Sequence, residues 1–328
     1  MKLRLAGYLV IFAGGILIGV TFVSQYLPKI NILPTQEQET RLGGYKHISP
    51  LLECESSDVI GQTEYKPSIA KVNNIIKKAT DSKLITYASV YYRDLNNGPW
   101  FGINEKNLFS PASLLKVPIM MAYYKAAVDD PSILSKKIKY DSVINPLNEN
   151  FSPSQTIQMG KTYTVGELID RMIVYSDNYA LALLGEHTNE SFVNKVTKDL
   201  GIATPTAETP ENYISVKNYA SFFRILYNAS YLDAEYSEKA LDLLSQVEFK
   251  QGLNKNIPQN IEVAHKFGER QLQDKSVQLH DCGIVYYPNH PYLLCIMTRG
   301  TNYNSLSNVI GQISGSIYSD INTRYNPK

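Results

Sequence analysis

Ser110-Pro111-Ala112-Ser113-Leu114-Leu115-Lys116-Val117-Pro118, residues 110–118, sets a serine and a lysine three positions apart at the head of an apolar helical pattern. Ser110 suits an N-cap and Pro111 the first helical position, so the spacing predicts a helix over 111–128 with Ser113 in its first turn. Unpaired backbone N–H groups and the positive end of the helix dipole favour a developing anion there. Lys116 shares the face of Ser113. A serine hydroxyl is a weak nucleophile until a neighbour takes its proton, and a lysine held among apolar groups beside a second cation can be neutral enough to do so. Leu114, Leu115, Val117 and Pro118 supply such surroundings. A solvated serine and lysine at this spacing are common in helices, so the rest of the chain has to decide.

Two further segments carry polar groups in informative places. Thr164 and Glu167 form a capping box that starts a helical pattern running to residue 187, and Tyr175-Ser176-Asp177-Asn178 interrupts it. An interhelical turn would look the same locally. His265-Lys266-Phe267-Gly268 follows Ile261, Glu262 and Val263 at the start of a strand pattern. A glycine there lets a ligand lie against the strand backbone, and Lys266 adds positive charge beside it.

Around these segments the pattern is mixed. Ile69, Val72, Ile75 and Ile76 share one helical face, and residues 84–103 (LITYASVYYRDLNNGPWFGI) alternate as a hairpin around Asn96, Asn97 and Gly98. Helical patterns recur over 216–229 and 237–247. Residues 275–300 (KSVQLHDCGIVYYPNHPYLLCIMTRG) then read as a second strand pair turning at 288–291. Leu306, Ile310, Ile313, Ile317 and Ile321 step by three and four, the stripe of a buried closing helix. Strands early and late, with helices between and at both ends, predict an α/β fold of the α+β kind. Its antiparallel sheet, of about five strands, is assembled from both ends of the chain beside an all-helical insertion.

Composition and the N-terminus set the remaining limits. The chain has 328 residues, 44% hydrophobic and 19% charged, and a formal net charge of +1. Disorder over most of its length is excluded, and so is a whole-molecule field that would recruit nucleic acid. Residues 5–23 (LAGYLVIFAGGILIGVTFV) carry no charge and are long enough to span a bilayer, and Lys2 and Arg4 precede them. The expectation is a single-pass anchor in the cytoplasmic membrane over residues 1–27, a linker over 28–66 and an extracytoplasmic domain over 67–328. A cleaved signal peptide is the alternative. Leu51, Leu52 and Cys54 are apolar enough to order the end of the linker on the domain. Cys282 and Cys295 lie on the two arms of the late hairpin and are expected as buried free thiols. His280, Asp281 and Cys282 alternate faces of a strand, so no metal site is expected, and no cofactor motif is found.

In this order, Ser113-x-x-Lys116, Ser176-Asp177-Asn178 and Lys266-Phe267-Gly268 resemble the class A β-lactamase and penicillin-binding protein superfamily, whose set is SxxK, SDN and KTG. The resemblance spans about residues 67 to 322. It implies that Ser113 becomes acylated, that Lys116 acts as its base or helps relay the proton, and that Ser176 passes a proton to the leaving nitrogen while Lys266 tunes it and attracts a substrate carboxylate. Asn178 would bond the substrate amide, Asp177 would hold the loop from behind, and the backbone N–H groups of Ser113 and Glu269 would form the oxyanion hole. The substrate implied is a β-lactam or a cell-wall peptide. Phe267 stands where the family has a hydroxyl, which moves carboxylate recognition to Lys266, Arg270 or Arg299. No E-x-x-L-N glutamate follows Asn178; Glu208 and Glu211 are the nearest acids, so hydrolysis of the acyl-enzyme is expected to be slow. An esterase or amidase with an unrelated substrate, and a silent wall-binding module, are the other readings.

Overall fold

The computed structural model describes residues 40–41, 43–53, 64–96, 98–144, 149–187, 195–196, 198–201, 206 and 211–326. The apolar segment 5–23, Cys54 and Glu208 lie outside them. Among the described residues no helix is long and apolar enough to cross a membrane.

The first strands, β1 (Thr40–Arg41) and β2 (Leu51–Glu53), pair with each other. Between them the linker docks on the domain. Ile48 is buried, and the buried His47 ring lies between Glu238 at 3.0 Å and Glu262 at 2.8 Å. Helix α1 (Lys66–Asp81) follows the predicted face, with Val72 fully buried and Ile69, Ile75 and Ile76 packed against the core.

The main sheet joins β3 (Tyr87–Asp94) and β4 (Trp100–Ile103) to β9 (Val263–Gln271), β10 (Val277–Val285) and β11 (Tyr292–Gly300), in the order β4-β3-β11-β10-β9, antiparallel throughout. β9 is therefore an edge strand. The closing helix α7 (Tyr303–Tyr325) packs on α1, β10 and β11, and its five predicted stripe residues are all buried. The helical part runs through α2 (Lys116–Asp129), α3 (Val165–Val174), α4 (Asn178–His187), α5 (Val216–Tyr227) and α6 (Ala234–Ser245). Two short strand pairs, β5 (Leu108–Phe109) with β8 (Ile214–Ser215) and β6 (Lys137–Lys139) with β7 (Thr162–Thr164), brace its connecting segments. The Thr164/Glu167 capping box forms as expected.

Two expectations are corrected. Ser110 caps nothing: residues 112–115 form a 3-10 turn whose cap is Pro111, and Ser110 is held instead by β10, its N–H donating to Gln278 Oε1 at 3.0 Å. Cys282 and Cys295 are not free thiols but a disulfide. The hairpin register sets the two residues directly opposite, where antiparallel strands bring facing side chains closest.

Truncating the α7 stripe should cost what a buried cavity costs. Ile313→Ala is expected to lower unfolding stability by about 2–5 kcal/mol, measured by urea denaturation of the full chain.

Candidate active site

Lys116 opens α2, directly after the turn that carries Ser113. Residues three apart across such a turn share a face, which puts Ser113 and Lys116 on the same side. Three attachments hold this turn. Tyr219 of α5 donates its hydroxyl to Leu114 O at 2.9 Å, Gln278 takes the Ser110 N–H, and His280 Nε2 lies 3.0 Å from Ser110 O. Burial pushes His280 down to about 3, so the ring is neutral and donates to that carbonyl. Ala112, next to the serine, has φ +48°, a left-handed conformation stored within the turn.

The turn between α3 and α4 delivers the second group of residues. Ser176 has φ +61°, which aims its hydroxyl at two ammonium groups. Lys116 Nζ donates to Ser176 Oγ at 3.0 Å, to Asn178 Oδ1 at 2.8 Å and, at very short range, to Ser176 O. Lys266 Nζ donates to the same Ser176 Oγ at 2.9 Å. Asp177 is fully buried and grips its neighbours, accepting from Tyr179 N at 2.9 Å and Ile157 N at 2.8 Å.

Strand β9 closes the third side. Gly268 runs so close to the Ser113 turn that a Cβ there would meet Leu114 Cγ and Pro111 O at 3.0 Å and Leu114 N at 3.1 Å. Phe267 stacks on Phe249, with ring centroids 4.0 Å apart and 17° between planes, and Phe151 stands edge-on to both. Glu269 turns its carboxylate to the segment before α3, taking the Phe151 N–H at 2.8 Å.

The charges in this corner are strongly perturbed. Burial pushes Lys116 down to about 8, against the pull of Glu149, Asp177 and Glu269. Lys266 is driven well below its ordinary value, first by burial and next by the charge of Lys116. Burial also raises Glu269, and it raises Glu149 to about 7, with the Lys116 charge opposing. Two lysines that cannot comfortably both be charged, beside a hydroxyl that contacts each, have the geometry to pass a proton along the three groups.

The structure thus brings Ser113, Lys116, Ser176, Asp177, Asn178, Lys266, Gly268 and Glu269 to one corner. Arg299 stands apart, donating to Asn212 Oδ1 at 3.0 Å and lying over the Phe109 ring. Arg270 faces Glu211 at 3.9 Å. Glu149, Phe151 and Phe249 escaped the sequence reading, because a loop acid and two loop aromatics follow no period. The symmetry of Cys282 and Cys295 about the hairpin turn was the available signal for their bond.

A model of the β-lactamase enzyme family matches residues 68–321, and the chain belongs to that family. No curated protein matches it. Among solved structures, an acyl-enzyme complex of a PBP-A mutant with penicillin G is similar at 17% identity, covering 78% of this chain and 97% of that one, with a TM-score of 0.64. A representative of class A β-lactamase from Bacteroides cellulosilyticus is similar at 19% identity, covering 78% and 99%, with a TM-score of 0.65. A β-lactamase from Francisella tularensis is similar at 20% identity, covering 77% and 100%, with a TM-score of 0.65. The fold is that of the β-lactamases and transpeptidases, and family and fold together support a serine hydrolase of this type.

The close passage of β9 gives a direct test. The Gly268→Ala protein should fold but acylate at least about tenfold more slowly than wild type, because its methyl must push the Ser113 turn out of line. Stopped-flow acylation with circular dichroism as the folding control checks this.

Proposed function

We propose that the protein is a membrane-anchored serine hydrolase that forms an acyl-enzyme on Ser113, acting on β-lactams or on peptide ends of the cell wall. The observation that carries the reading is the Ser176 hydroxyl held between Lys116 and Lys266, at 3.0 and 2.9 Å. Neutral Lys116 takes the Ser113 proton as Oγ bonds to the substrate carbonyl carbon. Ser176 gives its own proton to the leaving nitrogen as the C–N bond breaks, and takes one back from Lys116. Lys266 keeps Ser176 oriented and favours its transient anion, and Asn178 holds both Lys116 and the substrate amide. The N–H groups of Ser113 and Glu269 receive the carbonyl oxygen, and β9, as an edge strand, has backbone groups to offer a ligand. Arg299, the other candidate for an anion, gives one N–H to Asn212 Oδ1 at 3.0 Å.

Hydrolysis of the acyl-enzyme is the slow half. It needs a held water and a base, and Glu211 is turned to Arg270. The anchor proposal rests on the uncharged residues 5–23 behind Lys2 and Arg4. The Cys282–Cys295 disulfide fits an oxidising, extracytoplasmic setting.

Two outcomes are expected. After millimolar benzylpenicillin, intact mass should show one adduct that persists for hours, absent in Ser113→Ala; rapid return to the native mass would contradict slow deacylation and bring Glu149 forward as a base. The acylation rate should rise with pH through about 8, because Lys116 acts only after losing its proton. A rate that falls over that range would remove Lys116 as the base.

A further inference from the structure

If Ser113 is acylated as proposed, the residues beyond Lys266 on β9 say which acyl donors fit. The leaving nitrogen must come to Ser176 Oγ, which touches Lys266 Nζ at 2.9 Å. Whatever group the donor carries on the carbon next to that nitrogen therefore lies along Phe267, Gly268 and Glu269. In a β-lactam that group is a carboxylate.

No side chain of Phe267, Gly268 or Glu269 carries an N–H that would receive a carboxylate. Phe267 offers a ring locked against Phe249 and no donor. The three N–H groups of Lys116 go to Ser176 O, Ser176 Oγ and Asn178 Oδ1. Lys266 gives to Ser176 Oγ and to Phe267 O at 3.3 Å, and its Nζ sits 4.3 Å from the centre of the Phe267 ring. Both lysines are fully buried. Arg270 faces Glu211 at 3.9 Å, and Arg299 gives one N–H to Asn212 while its buried Nε has no partner.

What the stretch offers instead is an acceptor. One Glu269 oxygen takes the Phe151 N–H, and the Asn150 N–H also points toward the carboxyl, whereas Oε2 is buried without a hydrogen bond of good geometry. Glu149 comes from the segment that Phe151 pins to Glu269, so a second carboxyl stands near the first. A buried acceptor without a partner is a group that a ligand N–H would satisfy, and a ligand carboxylate would leave it unpaired and face it with like charge.

We propose that Glu269 selects acyl donors bearing an uncharged or cationic N–H group, such as a carboxamide, where a β-lactam bears its carboxylate. Sites built to hydrogen-bond a substrate N–H discriminate strongly against analogues that lack it.

The test uses two thioester substrates with the same acyl group, whose thiol portions end in a carboxamide or in a carboxylate. The full chain should hydrolyse the carboxamide with a kcat/KM at least about tenfold higher. In Glu269→Gln the ratio should collapse toward one, and acylation by benzylpenicillin should accelerate. In Glu269→Asp, which keeps the charge, the carboxamide should remain the better substrate. Equal rates or a carboxylate preference in the wild type would overturn the inference, and so would a preference that survives in Glu269→Gln. The wild-type comparison holds whether or not a variant folds. Absence of any Ser113-dependent turnover or adduct with either thioester or with benzylpenicillin would remove the acyl-enzyme reading itself, and this inference with it.

Discussion

One hydroxyl between two buried ammonium groups organises this corner of the protein. Two cations within 3.0 Å of the same oxygen repel each other and have both given up water. The arrangement persists because Ser176 O and Asn178 Oδ1 accept from Lys116, and because three carboxyl groups, those of Asp177, Glu149 and Glu269, lie close enough to offset the charge. The remaining conflict is relieved by proton loss, which is why both lysines fall below their ordinary range. Proton loss near neutral pH is what the proposed base role requires of a residue type that is normally charged there.

The sheet topology supplies the rigid half of that corner. Strand β9 arrives late in the chain and takes the free edge, so Lys266 and Gly268 border the cleft rather than another strand. The helical insertion contributes the other half through the turn between α3 and α4. The Ser113 turn lies between them, tied to β10 by Gln278 and His280 and to α5 by Tyr219. The ties come from two stretches of sequence, β10 and α5. A turn held by both keeps a left-handed residue, Ala112, beside the serine, and Ser176 is left-handed in the turn opposite.

Much of this was legible in the sequence where periodicity or a short motif carried it. The α7 stripe, the α1 face, the capping box at Thr164 and the two hairpins follow from spacing alone, and the three motifs located the lysines, Ser176 and Asn178. What depended on long-range packing was not legible. Glu149 and Phe151 sit in a loop whose place is set by Glu269, more than a hundred residues later. Phe249 matters only because β9 brings Phe267 against it. Ser110 has the right chemistry for a cap, yet tertiary contacts with Gln278 and His280 claimed its backbone. Arg299 has the right charge for an anion, but Asn212 engages it from a turn with no sequence signal.

The departures from the family's third motif therefore read as one change rather than two. An aromatic stack stands where the family has a hydroxyl, the lysine beside it is covered, and Glu269, directly after the triplet, gives its carboxylate to the Phe151 segment, while both lysines still meet Ser176. The relay is the central claim, and the titration of its lysines tests it most directly. In protein labelled with carbon-13 at lysine Cε, nuclear magnetic resonance should show two resonances titrating far below the ordinary 10.5. The one lost in Lys116→Ala should have its midpoint near 8, and the one lost in Lys266→Ala should also fall well below 10.5. If every lysine resonance titrated together near 10.5, the two ammonium groups would not be buried against Ser176, and the account would be wrong.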